Sequence, residues 1–205
     1  MSNIFTAGHQ MFEIRSFDAN VDNLDQYRDL FLRCDNVVVA GIEQNDDDLR
    51  RVGEEYVANA CQSDLASWAS VSEVYQHGCG DFWLLVLVDS TSLQEASDSS
   101  GWNTPSTIVG SIAMEDKGNG VFELRRLCVS DAYRRMGLGM KLLQHLVSHA
   151  EASGQLRRLY FSTPSINTSA ISMYLKGGFV FEKEMVCTFE PKNTQLAIST
   201  FSYVL

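Results

Sequence analysis

The chain of 205 residues contains no apolar run near the roughly 18 residues needed to cross a bilayer. Its start, MSNIFTAGHQ, lacks the basic and apolar regions of a signal peptide, so a cytoplasmic protein without membrane attachment is expected. There is no C-x-x-C pair. The five cysteines, Cys34, Cys61, Cys79, Cys128 and Cys187, are odd in number and scattered, which suggests neither a disulfide framework nor a zinc site and fits reduced thiols. Basic residues are scarce. With 16 Lys and Arg against 26 Asp and Glu, a formal net charge of −10, nucleic-acid binding by broad phosphate neutralisation is not expected. An acidic surface chiefly keeps a protein soluble, and it is compatible with a cationic substrate. The sequon at Asn167 would matter only in a secreted chain.

What is present is a hydrophobic pattern. At 45% hydrophobic residues the chain can bury a sizeable core, and without internal repeats or a dividing linker it fits one large domain. MFEIRSFD (11–18) alternates as a strand, and NLDQYRDLFLRC (23–34) places Leu24, Tyr27, Leu30 and Phe31 on one helical face. Asp46 to Asp48 offer an N-cap and favourable charge to a second helix, whose buried side is Leu49, Val52, Tyr56 and Val57. A further helical segment is expected over SDLASWASVSEVYQ (63–76), then a central strand, DFWLLVLVD (81–89), and a polar, serine-rich loop at about 90–107. TIVGSIAME (107–115) and VFELRRLCV (121–129), joined by the turn KGNG, complete a three-strand meander.

Leu138, Leu142, Leu143, Leu146, Val147 and Ala150 then define a long helical face before the strand RLYFST (158–163), which implies a right-handed parallel crossover. A short helix (168–177) and two strands able to form a hairpin, FVFEKEMVCTFEP and AISTFSYVL, end an α/β chain. The last is apolar enough to serve either as the edge of a homodimer or as a buried strand. His145 and His149 sit four apart on the long helix, but with no third ligand and no H-E-x-x-H a metal is not expected, and both are assigned to the surface.

Between strand and long helix lies YRRMGLGMKLL (133–143). GLGMKL lacks the third glycine of a dinucleotide-binding turn, no acidic residue follows at the distance a ribose needs, and the phosphate-binding G-x-x-x-x-G-K pattern is absent. What remains is a short loop opening a helix, whose free backbone N–H groups suit a pyrophosphate. ELRRLCVSDAYRRMGLGMKLL resembles the acetyl-CoA-binding motif of the GNAT superfamily of N-acetyltransferases: a Gln or Arg, two residues, Gly, one residue, then Gly or Ala, filled by Arg134, Gly137 and Gly139. Downstream, NTSAISMYLKGGF resembles the second motif of the superfamily, N-x-x-A-x-x-x-Y-x-x-x-G-F, at Asn167, Ala170, Tyr174, Gly178 and Phe179. The motif-bearing resemblance covers roughly residues 108–182. The stretch SDLASWASVSEVYQHGCGDFW is also reminiscent of camello-like members, which carry an apolar membrane segment that this chain lacks.

The resemblance implies the GNAT fold, a mixed, mostly antiparallel twisted sheet splayed at its centre and flanked by helices, forming a single N-acetyltransferase domain over residues 1–205. It implies acetyl-CoA as cosubstrate, with the pyrophosphate on the backbone of Arg135, Met136, Gly137, Leu138, Gly139 and Met140, and with Arg134 or Arg135 adding charge. Leu127, Cys128 and Val129 would hydrogen-bond the pantetheine arm along an open strand edge, and Asn167 belongs to the same coenzyme-binding set. Tyr174 matches the position of the acid that protonates the departing thiolate, and Glu123, at a position where some relatives place a base, is the candidate to deprotonate a primary amine acceptor, ordered water being the alternative. Glu123 could equally pair with Arg125 or Arg126. Cys128 as a covalent nucleophile lacks an activating His/Asp constellation, so direct transfer is implied. A non-catalytic acetyl-CoA sensor and an interaction protein of the same fold are the other two readings.

Overall fold

The structure, a computed structural model, describes residues 3–34, 44–88, 107–189 and 193–204; the serine-rich loop lies outside these except for its last residue, Thr107. Eight strands among them form one sheet. The strands are β1 (Asn3–Ala7), β2 (Gln10–Ser16), β3 (Asp81–Val88), β4 (Thr107–Asp116), β5 (Val121–Val129), β6 (Arg158–Pro164), β7 (Phe179–Phe189) and β8 (Thr194–Tyr203). Their spatial order is β1-β2-β3-β4-β5-β6-β8-β7, and every neighbouring pair is antiparallel except β5 and β6. The described helices are α1 (Leu24–Cys34), α2 (Asp47–Gln62), α3 (Trp68–Tyr75), α4 (Leu138–Ala152) and α5 (Thr168–Lys176).

The expected meander of β3, β4 and β5 is present, as is the parallel crossover through α4. Strand β1 was not anticipated: Gly8, at φ 61°, turns the chain so that Ala7 pairs with Gln10, a two-residue hairpin turn. The final hairpin forms, but β8 lies between β6 and β7 and leaves β7 at the edge.

Both faces of the sheet are covered. On one, Leu138, Leu142, Leu143, Leu146 and Ala150 of α4 pack with Trp83, Ile112, Met114, Phe122, Leu124 and Phe161. Each such leucine, buried almost completely, contributes about 1.5–3 kcal/mol relative to exposure. On the other, Tyr27, Leu30 and Phe31 of α1, Val57 of α2 and Val71 and Tyr75 of α3 close over Phe82, Leu84, Val86 and Ala113. The helix expected at 63–76 begins only at Trp68, because Ser67 caps it by accepting a 3.0 Å hydrogen bond from the Ser70 N–H. Asp46 caps α2 as expected, with Oδ1 accepting from the N–H groups of Asp48 and Leu49 at 3.0 Å.

Two irregularities shape the centre. Strand β5 pairs with β6 only at Val121, Phe122 and Glu123, and residues beyond diverge from it, the expected splay. In its pairing with β4, Ser111 opposes Cys128 while Ala113 opposes Arg125, so Ile112 alone faces the two residues Arg126 and Leu127, a β-bulge. The extra residue shifts the alternation. Phe122 and Leu124 lie in the core beneath α4, whereas Arg126 and Cys128 lie against the opposite helical layer.

Candidate active site

Helix α4 opens on Gly137, at φ 78° and ψ 3°, a left-handed conformation that costs a residue with a β-carbon roughly 1–2 kcal/mol. A β-carbon added there would meet nothing within 4 Å. Arg135, two residues earlier, is also left-handed at φ 61°. Helices α3 and α5 start with side-chain caps, from Ser67 and Asn167; α4 has none. The Lys141 N–H donates to the Gly137 carbonyl at 3.1 Å, so the N–H groups of Leu138, Gly139 and Met140 precede the helical ladder. Together with the positive end of the helix dipole they form an anion-receptive start.

The flanking side chains are placed as follows. Arg134 pairs with Asp131 at 2.8 Å and donates from Nε to the Val129 carbonyl at 3.3 Å, while Arg135 is exposed. Met136 is half-buried, with its Cε 3.2 Å from where a β-carbon on Gly8 would stand, so the β1–β2 hairpin borders the helix start. Met140 is half-buried against the same core. Gly139 has a different role from Gly137: an added β-carbon would stand 3.0 Å from the Met173 sulfur.

Strand β5 leads to this helix start with its edge free of β6 beyond Glu123. Leu127 and Val129 lie partly buried on the α4 side. The Val129 carbonyl accepts from the Cys34 thiol at 3.4 Å as well as from Arg134. Cys128 is buried on the opposite face, its sulfur 3.3 Å from the Ser111 hydroxyl. Its thiol is pushed well above the ordinary value by its hydrogen bond with Cys34 and by burial, the reverse of what an activated nucleophile needs. All five cysteines are free thiols.

Tyr174 projects from α5 into the core, 6% exposed, its ring 3.8 Å from that of Phe161 and 6.0 Å from that of Phe179. Burial, reinforced by the neighbouring Cys128, holds its phenol well above the ordinary range, so it stays protonated at neutral pH. Asn167 uses both ends of its amide within the chain: Oδ1 accepts from the Ala170 N–H at 3.4 Å and Nδ2 donates to the Thr163 hydroxyl at 3.3 Å. Its place in the motif is therefore explained by capping α5.

Glu123 faces the layer of α1, α2 and α3 and pairs with neither arginine. Lys117 lies 3.1 Å from it and 2.7 Å from Glu115, and Arg125 pairs with Glu115 at 2.9 Å. Both arginines have other partners, Arg125 in Glu115 and Arg126 in Asp64. That Arg126–Asp64 pair was not anticipated. Its guanidinium donates from Nε and Nη2 to both carboxylate oxygens at 2.7–3.0 Å and from Nη1 to the Tyr56 hydroxyl at 2.9 Å, while the Tyr75 hydroxyl donates to Asp64. The visible signal was an arginine doublet inside a largely apolar strand.

His145 and His149 are not free surface groups. Trp83 projects from β3 onto that helical face, with ring centroids 5.1 and 4.8 Å from the two imidazoles, and burial lowers the His145 pKa. Among the described residues no three His, Cys, Asp or Glu side chains are grouped as metal ligands, and no helix is long and apolar enough to cross a membrane.

Residues 63–179 match the family model for the acetyltransferase (GNAT) family. The chain belongs to this family. Among curated GNAT relatives, the spermine/spermidine N(1)-acetyltransferase of Bacillus subtilis is 35% identical over 71 residues, which is 35% of this chain and 47% of that protein. N-alpha-acetyltransferase 50 of Danio rerio is 40% identical over 47 residues, 23% of this chain and 28% of its own. The chain thus spans about half or less of the length of the curated relatives it matches. Solved structures share the fold over nearly the whole chain. An acetyltransferase from Streptococcus agalactiae has a TM-score of 0.61 at 20% identity, covering 95% of this chain and 98% of its own. A GNAT acetyltransferase from Elizabethkingia anophelis with acetyl-CoA bound has a TM-score of 0.53 at 13% identity, covering 95% and 98%.

Proposed function

We propose that the protein is an acetyl-CoA-dependent N-acetyltransferase that passes the acetyl group directly to a primary amine within a ternary complex. The observation that carries this is the meeting of three parts. The uncapped start of α4 at Gly137 stands at the end of the free edge of β5, and α5, bearing Tyr174, is packed against α4 through Gly139 and Met173. These residues fit the coenzyme: open amides and an empty approach at Gly137 suit a pyrophosphate, and an unpaired strand edge suits the amides of the pantetheine arm.

The chain's own chemistry then follows the proton. A primary alkylamine, with a pKa near 10.4 like that of lysine, must lose a proton before its nitrogen can attack the thioester carbonyl. Glu123, which lies 3.1 Å from Lys117, or an ordered water takes it. As the C–N bond forms and the C–S bond breaks, the departing sulfur acquires negative charge, and the phenol of Tyr174 supplies its proton. The raised thiol of Cys128 supports direct transfer over an acetyl-cysteine.

The reading is tested by calorimetric titration with acetyl-CoA and with free CoA, repeated on Gly137→Trp. Binding by the native chain that is lost in the variant supports the coenzyme site. A panel of primary amines followed by thiol release then identifies the acceptor. Spermidine belongs in it, given the activity named for the Bacillus relative and the net charge of −10. A well-folded native chain that binds neither form of the coenzyme would overturn the proposal.

A further inference from the structure

The geometry points to the buried Arg126–Asp64 pair as a positioning device for the coenzyme, fixing the angle at which residues 127–129 present their free edge. This rests on the coenzyme reading above, and concerns residues that fill no signature position of either motif. Beyond Glu123 strand β5 has no partner in β6, so its course is set from β4 and from whatever grips the bulge.

Arg126 is that grip. Its backbone is left-handed, at φ 56°, a conformation an arginine keeps only where its surroundings impose it. The imposition comes from both ends of the residue. The carbonyl accepts a 2.6 Å hydrogen bond from the Ser111 hydroxyl, and the guanidinium is forked onto Asp64, lies 5.0 Å from the Phe31 ring and donates to Tyr56. The charged side chains are 2% and 6% exposed.

Stability alone is a poor account of such a pair. Two desolvated charges contribute little net stability compared with apolar residues of the same volume, whereas a planar fork on a carboxylate fixes direction. Asp64 lies in the turn between α2 and α3, and Tyr75 of α3 also donates to it, so the pair ties the helical layer over Glu123 to the strand that carries the coenzyme edge. Removing the fork leaves β5 in the sheet through β4 and frees the bulge to change its angle.

The test compares two ligands on the full chain: acetyl-CoA, and adenosine 3′-phosphate 5′-diphosphate, which is the coenzyme without its pantetheine arm. Asp64→Asn keeps the shape and removes the charge. The expected result is a loss of acetyl-CoA affinity of about tenfold or more, since small displacements of a binding surface act at that scale, with no change for the arm-less fragment. Arg126→Lys, which keeps the charge without the fork, is expected to follow Asp64→Asn. Equal losses for both ligands, or no loss for either, would overturn the inference in favour of a merely structural pair. Should Asp64→Asn not fold, Tyr56→Phe takes its place, where a smaller loss confined to acetyl-CoA supports the inference and none overturns it. A folded native chain that binds neither ligand sinks the coenzyme reading itself, an outcome distinct from these.

Discussion

The backbone of Gly139 and the side chain of Met173 are in close contact: a β-carbon on the glycine would stand 3.0 Å from the thioether sulfur. Met173 precedes Tyr174 on α5, and Gly139 lies in the first turn of α4. The contact therefore fixes the helix bearing the phenol against the helix whose start is proposed to receive the anion. Gly137, two residues away, faces open space and is a glycine because of its backbone conformation.

This separates the expected effects of substituting the two glycines. Gly137→Ala should bind acetyl-CoA with a stability loss of about 1–2 kcal/mol, the cost of a left-handed alanine, whereas Gly137→Trp should abolish binding. Gly139→Val should retain coenzyme binding but lose turnover as α5 is displaced. Denaturant melts and calorimetry on the three proteins check the pattern.

Tyr174→Phe keeps the ring on Phe161 and removes the transferable proton. Turnover should fall by about 10²–10⁴-fold with acetyl-CoA affinity unchanged. An acid for the thiolate must be protonated, and the raised pKa of Tyr174 keeps it so past the ordinary tyrosine value of 10.0. The native pH–rate profile should therefore show no descending limb from this group below that pH. Unchanged turnover in the variant would remove Tyr174 from the mechanism.

Cys128→Ala should turn over within a few-fold of the native rate, because its thiol is held neutral and buried beside Ser111 and Cys34. A trapped acetyl-enzyme in mass spectra of the native chain, absent from this variant, would instead establish a covalent route.

Asp64 gives a pH dependence to stability. Burial alone would raise its pKa, but the hydrogen bond and charge of Arg126 outweigh it and the net shift is downward from 3.8. A depressed carboxyl contributes stability that is present above the unfolded-state value and is lost as pH falls through the folded one. The gap in melting temperature between the native chain and Asp64→Asn should thus be constant near neutrality and narrow on acidification below 3.8. A gap that is independent of pH would show the carboxylate charge to be immaterial.

The sequence carried the parts of the site that depend on local chemistry. A glycine pair ahead of an apolar-faced helix, and a tyrosine at fixed spacing from a helix-capping Asn, are short-range patterns, and each fell where expected. The central strand and the meander were legible from continuous apolar runs bounded by turns. What was hidden is non-local. Asp64 and Arg126 are 62 residues apart, and their encounter depends on a bulge that a non-glycine residue adopts, which no spacing rule reveals. The partner of Glu123, left open between Arg125 and Arg126, is Lys117, because those arginines are taken by Glu115 on the neighbouring strand and by distant Asp64. The first hairpin was missed because five residues of strand carry too little alternation to stand out.

The insertion of β8 between β6 and β7 has a consequence for how the chain is made. Synthesis runs from the amino end, so β6 leaves the ribosome before the strand that will lie beside it, and β7 emerges in between. Until residues 194–203 follow, Phe161 lacks the aromatic neighbour Phe201, which stacks on it at 5.3 Å on the same ring that supports Tyr174. A nascent chain halted after β7 would already contain every residue of both motifs, yet Tyr174 would rest on an unfinished bed. The packing around the proposed acid is in this sense delayed until the sheet is closed from within.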